Sequence, residues 1–185
     1  MPGIYFAQPV YRSLSLRTAA SIQKVLASIP AGESVYWEPY WGDALIARAR
    51  SIQATRFLED HPDCDVMVMV DDDIVFMPDA FWRIVHGARE LHGVVAGAYV
   101  THGEEPHLTC REWPGAEPLK IRDGGLSELV HVEYVATGFM AVHRDVVEAL
   151  VDREFENVDG APPGLRERLR AEPFKVEWRI RSPDS

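Results

Sequence analysis

Cysteine is scarce: Cys64 and Cys110 are the only two, and their separation matches no metal-ligand spacing. A disulfide scaffold and a zinc knuckle are therefore not expected, and two free thiols are. Lysine occurs only at Lys24, Lys120 and Lys175, and 19 Lys+Arg face 29 Asp+Glu for a net charge of -10. A field of that sign repels phosphate backbones and anionic lipid, which argues against a groove-tracking nucleic-acid binder. Long apolar runs are missing as well. Stretches such as Val66 to Val70 fall far short of the roughly 20 residues that a spanning helix needs. The start, Met1-Pro2-Gly3-Ile4-Tyr5-Phe6, lacks the basic and then apolar segments of a secretory signal, so the cytoplasm is the expected location. There is no internal repeat and no low-complexity tract. What is present is 185 residues with 46% hydrophobic and 10% aromatic content, enough for one domain with a real core.

Helix and strand signals alternate from the N-terminus to about residue 150, the rhythm of α/β architecture. Ile4 to Val10 reads as a first strand and Leu14 to Ile29 as a helix with Ala19, Ile22, Val25, Leu26 and Ile29 on one face. A short strand is expected over Val35 to Trp37, then a turn at Pro39-Tyr40-Trp41-Gly42. Asp43 is the expected N-cap of a helix from Ala44 to Glu59, with Leu45, Ala49 and Ile52 facing inward. Val66 to Val70 has no polar residue on either face, which predicts a central strand covered by helices on both sides. A helix opening at Pro78 and Asp79 carries Phe81, Ile84, Val85, Ala88 and Leu91 on one face. Val94 to Val100, Leu129 to Val135 and Phe139 to His143 read as strands, and Asp145 to Leu150 as a short helix. Thr101 to Gly125 reads as a long loop with a short strand at His107 to Arg111. Residues 1–150 thus form the core. Residues 151–185 form an extension of the same domain, in which Phe174, Val176, Trp178 and Ile180 alternate with charged residues as a one-sided strand. His131 and His143 read as structural, and Met67 and Met69 as core filling.

Asp71-Asp72-Asp73 follows the most buried strand at its carboxyl end, where ligands sit in open α/β sheets. In an extended chain Asp71 and Asp73 project to the same side and can converge on one cation. Three adjacent ionised carboxylates repel one another, so without a cation at least one pKa should rise. Oxygen-only donors of this kind favour Mg2+ or Mn2+. A solvated acidic turn before the next helix is the alternative.

Five segments carry a family resemblance: Pro9-Val10-Tyr11, Gly42-Asp43-Ala44-Leu45-Ile46-Ala47-Arg48-Ala49-Arg50, Val70-Asp71-Asp72-Asp73-Ile74-Val75-Phe76, Gly97-Ala98-Tyr99, and Ala136-Thr137-Gly138-Phe139-Met140. In this order and spacing, from about residue 3 to 150, the chain resembles the GT-A-fold glycosyltransferases of the short, family-2-like bacterial and phage type. The resemblance implies a Rossmann-like, mostly parallel sheet with helices on both faces. It also implies a nucleotide-sugar donor whose diphosphate is held by Mn2+ or Mg2+ on an Asp-x-Asp motif, which reconciles an acidic protein with an anionic ligand. Carried over residue by residue, it places Pro9, Tyr11, Asp43, Arg48, Arg50, Asp71 and Asp72 at the donor. Asp71 and Asp73 would hold the metal. Tyr99, His102, Thr137 and Gly138 would lie at the sugar or acceptor. The family motif matches Arg50 better than Arg48, although Ser51 stands where the family usually has Asn. Helical geometry puts the two arginines about 200° apart, so they should not share a role.

Two other readings stay open. Asp71-Asp72-Asp73-Ile74-Val75 also fits the signature of haloacid-dehalogenase-type phosphatases, whose first carboxylate is a phosphoryl nucleophile. That family usually opens with this strand and needs a later lysine and a later acidic pair at a strand end; the only lysines are Lys24, Lys120 and Lys175, and no such pair follows. The third reading is a non-catalytic nucleotide-sugar-binding protein or a shortened glycosyltransferase remnant. Family members commonly continue into an acidic Glu-Asp-x-x-Phe-like stretch and a later His, whereas this sequence stops at Ser182-Pro183-Asp184-Ser185. The general base is therefore unassigned. Glu133 and Asp123 are the nearest substitutes, transfer is expected to be slow, and a second copy or a complementing subunit is a partner to consider. The identity of the acceptor is not encoded in any motif.

Overall fold

The computed structural model describes residues 2–100, 108–111, 129–132 and 134–156. Its order is β1 (Gly3–Val10), α1 (Leu16–Ala27), β2 (Val35–Trp41), α2 (Ile46–Glu59), β3 (Cys64–Val70), α3 (Pro78–Leu91), β4 (Val94–Ala96), β5 (Cys110–Arg111), β6 (Tyr134–Val135), β7 (Phe139–His143) and α4 (Arg144–Glu156). Five strands form one sheet in the order β2-β1-β3-β7-β4, and β5 and β6 pair separately. β1 runs parallel to β2 and β3, while β7 is antiparallel to both β3 and β4. Strand β4 therefore points the same way as β1, β2 and β3, and only β7 is reversed. This is the expected α/β, mostly parallel sheet.

Period-two alternation splits each central strand between two cores. Ile4, Phe6, Val66, Val68 and Val70 pack with Ile22 and Val25 of α1 and with Phe81, Ile84, Val85 and Ala88 of α3. Tyr5, Ala7, Met67 and Met69 pack with Ala54 and Phe57 of α2 and with Val147 of α4. Helices thus cover both faces, and β3, third of five strands, is the sheet centre that its uniformly apolar sequence predicts.

Several boundaries differ from the sequence reading. The segment expected to turn at Pro39 stays in the sheet, because all seven residues of β2 pair in register with Ile4 to Val10. Proline is tolerated there because β2 is an edge strand with one ladder side unused. Asp43 does not cap α2. Its Oδ1 accepts the Leu45 N–H at 2.9 Å in a local turn, the helix starts at Ile46, and Leu45 is exposed instead of inward. Leu91 is also exposed, since α3 is already turning out of the helix at His92. β4 ends at Ala96, with Val100 joined to Leu108 by one isolated bridge. Of the described residues in the strand expected over Leu129 to Val135, only Tyr134 and Val135 pair, and His131 is exposed outside it. α4 continues to Glu156. His102, Asp123, Glu133 and the alternating segment from Phe174 to Ile180 lie outside the described residues. Among the described residues no helix is long and apolar enough to cross a membrane.

Candidate functional site

The chain leaves β1 for β2 on one side and returns for β3 on the other, so the connections diverge between the carboxyl ends of β1 and β3. Crevices of this kind are the ligand sites of open α/β sheets. Here the Tyr11 N–H donates to Asp72 Oδ2 at 3.2 Å and the Ser15 N–H donates to the Asp72 carbonyl at 3.0 Å, which joins the two strand ends. The Asp71 carbonyl accepts the Ile74 N–H at 3.3 Å, so the triplet turns rather than remaining extended. Asp71 and Asp73 are therefore not related by strand alternation as expected, because the chain bends away from the sheet to reach α3.

The reversed strand completes the rim. Because β7 is antiparallel, with Phe139 beside Val70, the loop that precedes it arrives at the same edge that the parallel strands leave. The Asp71 N–H donates to the Gly138 carbonyl at 2.9 Å. From α2, Arg50 Nη2 donates to Asp71 Oδ1 at 2.6 Å and to the Thr137 carbonyl at 3.3 Å, and Nη1 bonds the Thr137 hydroxyl. The Gly138 N–H donates to the Tyr99 hydroxyl at 3.2 Å. A Cβ on Gly138 would lie 2.5 Å from that hydroxyl and 3.1 Å from Asp71 Oδ2, so only glycine fits without displacement. Two of the expected residues, Asp71 and Thr137, thus meet Arg50 directly, and Gly138 and Tyr99 join them through Asp71.

Electrostatics follow from this packing. Burial pushes the Asp71 carboxyl above its ordinary range, Arg50 opposes the shift, and the charges of Asp73 and then Asp72 add to it. Tyr99 is raised mainly by burial, with the Gly138 N–H opposing. One guanidinium does not offset the charge of three carboxylates, so a further cation would be accommodated favourably. Asp73 is exposed beside Asp71 and makes no hydrogen bond or ion pair with the described residues. Carboxylate oxygens are the donors that a hard cation such as Mg2+ or Mn2+ takes.

The remaining sequence candidates separate. Arg48 pairs with Asp43, with Nε to Oδ2 at 2.6 Å and Nη2 to Oδ1 at 2.8 Å. Asp43 is correspondingly lowered, first by the Arg48 hydrogen bonds and then by the Leu45 N–H. Pro9 is buried within β1, opposite Tyr40. Tyr11 is exposed at the rim with Arg12 over its ring at 5.0 Å. Sequence reasoning missed Trp41, an exposed indole at the carboxyl end of β2 paired with Val10, next to Tyr11. Its signal was the aromatic edge sequence Tyr36-Trp37-Glu38-Pro39-Tyr40-Trp41, read instead as ending in a turn.

The fold and rim together define a helix-flanked, mostly parallel α/β domain with a charged cluster at its switch point. Neither a protein-family model nor a curated protein sequence matches the chain. Among solved structures it is similar to A197 from STIV, with a TM-score of 0.54 and 17% identity over 80% of this chain and 68% of that one. At that identity the likeness is one of fold. A glycosyltransferase involved in the glycosylation of the major capsid of PBCV-1 aligns with a TM-score of 0.41 and 12% identity, over 91% of this chain and 74% of that one. The 4-diphosphocytidyl-2C-methyl-D-erythritolsynthase of Anaerococcus prevotii aligns with a TM-score of 0.42 and 11% identity, over 94% and 84%.

Proposed function

We propose that the chain is a transferase of the GT-A glycosyltransferase kind, binding a nucleoside-diphosphate sugar at the carboxyl rim of the sheet with Mn2+ or Mg2+. The observation that carries the reading is the Arg50-Asp71 pair locked against Thr137 and Gly138, with the exposed Asp73 beside it, at the switch point between β1 and β3. In this reading Arg50 is a positioning residue: its guanidinium is engaged by Asp71 and Thr137 and orients the carboxylate. Asp71 and Asp73 hold the cation. When bound, that cation offsets the negative charge that develops on the diphosphate leaving group as the glycosidic bond breaks. Tyr11, just beyond the end of β1, and Trp41, at the end of β2, are both exposed and offer aromatic faces to a nucleobase. Gly138 keeps the backbone close to the sugar, and the Tyr99 hydroxyl stands at the same place.

Calorimetry with a panel of nucleoside diphosphates, with and without Mn2+, tests this proposal. At least one should bind about tenfold more tightly with Mn2+, and Asp73→Asn should remove that dependence while keeping the melting temperature. Absence of Mn2+-linked binding across the panel, or unchanged affinity in Asp73→Asn, would overturn it.

A further inference from the structure

At the opposite end of the sheet, three metal-ligating side chains converge from three elements. β7 runs from Phe139 beside Val70 to His143 beside Val66, so His143 lies at the edge where the parallel strands begin. His92 closes α3 and Asp145 lies in the first turn of α4. The Nδ1 atoms of His92 and His143 stand 2.8 Å and 3.4 Å from the same oxygen, Asp145 Oδ2. The two imidazole centroids are 4.3 Å apart. One ligand atom from each of the three residues lies within 4.8 Å of the others. The His143 side chain is 10% exposed against 65% for His92 and 62% for Asp145, so one fixed imidazole meets two groups open to solvent.

Backbone geometry fixes where these side chains meet. His92 has φ 45°, the one positive φ at a non-glycine residue among those described. Helix ends of this form most often carry glycine or asparagine, and here the position carries an imidazole. The His143 N–H donates to the Gly93 carbonyl at 3.0 Å, which pins the two histidine-bearing segments together. In addition, the Asp145 N–H donates to His143 Nδ1 at 3.3 Å. A backbone N–H can only donate, so His143 Nδ1 is an acceptor here, and a metal ion would take its lone pair by displacing this long hydrogen bond.

We propose that His92, His143 and Asp145 form a binding site for a divalent transition cation, best suited to Zn2+, with its fourth position open to water. Zinc bonds of about 2.0–2.2 Å in a tetrahedral shell set neighbouring donor atoms about 3.3–3.6 Å apart. The His143 to Asp145 separation already matches this. The shorter His92 to Asp145 contact needs to open by at least about half an ångström as its hydrogen bond gives way to metal. Two imidazoles and one carboxylate select Zn2+ over the hard cations suited to the oxygen donors at the rim. The site ties the end of α3 to β7 and α4, and it stands apart from the donor crevice and independent of the function proposed for it.

The test is titration of the purified full chain with ZnCl2 against a competing chelator, together with thermal melts. His92→Gly removes a ligand and supplies the residue that the left-handed position favours, so its metal-free melting temperature should equal or exceed the parent's. Its Zn2+ affinity should fall at least tenfold, and the Zn2+-induced rise in melting temperature should disappear. Asp145→Asn should weaken binding similarly. Co2+ in place of Zn2+ should give the visible absorption of tetrahedral cobalt in the parent and not in His92→Gly. Parent-like Zn2+ affinity in both variants, or no Zn2+ binding by the parent, would overturn the proposal.

Discussion

Arg50 and Asp71 form one contact across the sheet's carboxyl rim, Nη2 to Oδ1 at 2.6 Å, and the same guanidinium grips Thr137 through its hydroxyl and its carbonyl. One cation therefore joins α2, the end of β3 and the loop entering β7. The Arg50 side chain is 12% exposed and that of Asp71 32%, so the pair is shielded but not dry.

Removing the guanidinium strands a shielded carboxylate. Arg50→Met should destabilise the fold by about 1–2 kcal/mol, the lower part of the range for charge-assisted hydrogen bonds because Asp71 keeps some solvent. In a double-mutant cycle with Asp71→Asn, denaturant unfolding should give a coupling of about 1 kcal/mol. Additive single effects would show that the contact contributes nothing.

Asp71 also sets a pH dependence whose sign follows from its raised pKa. The native state holds this proton more tightly than the unfolded chain, so the stabilisation is full below the ordinary aspartate value. It is lost as pH rises through the native pKa, from about pH 4 upward. The melting temperature of Asp71→Asn relative to the parent should therefore climb as pH rises from 4 into the neutral range. A constant difference over that window would contradict the shift.

Gly138 has no room for a methyl group. The Cβ of Gly138→Ala would meet the Tyr99 hydroxyl at 2.5 Å and the ring carbon beneath it at 2.9 Å, and the expected destabilisation is about 1–3 kcal/mol. Tyr99→Phe in the same chain removes the nearer clash and should restore part of the loss. Thermal melts of the two single variants and the double variant decide this.

Arg89 holds the other end of the sheet. It donates to both Asp65 oxygens at 2.8 and 3.0 Å, to both Glu33 oxygens at 2.7 and 3.0 Å, and to the Pro2 carbonyl at 3.0 Å. Arg89→Met leaves two partly buried carboxylates facing each other, and a loss of about 2–3 kcal/mol is expected. Arg89→Lys should recover little of it, since an ammonium cannot reproduce the fork. Chemical denaturation of both variants measures the difference.

The sequence by itself determined the pieces that depend on local pattern. Uniformly apolar Val66 to Val70 marked the central strand, the spacing of Phe81, Ile84, Val85 and Ala88 marked the buried face of α3, and the acidic triplet marked a strand end. Periodicity encodes which face is buried, because it is set by the backbone repeat of each element alone. Arg50, Asp71, Tyr99, Thr137 and Gly138 were each legible within motifs, but their meeting was not. Arg50 and Thr137 are 87 positions apart, and nothing local states that β7 is antiparallel. That one reversed strand brings Thr137 and Gly138 to the rim of Asp71 and carries His143 to the far edge beside His92 and Asp145. Strand direction is chosen by long-range pairing with β3 and β4 and by the packing of α3 and α4 on opposite faces, so only the tertiary structure decided where the two clusters form.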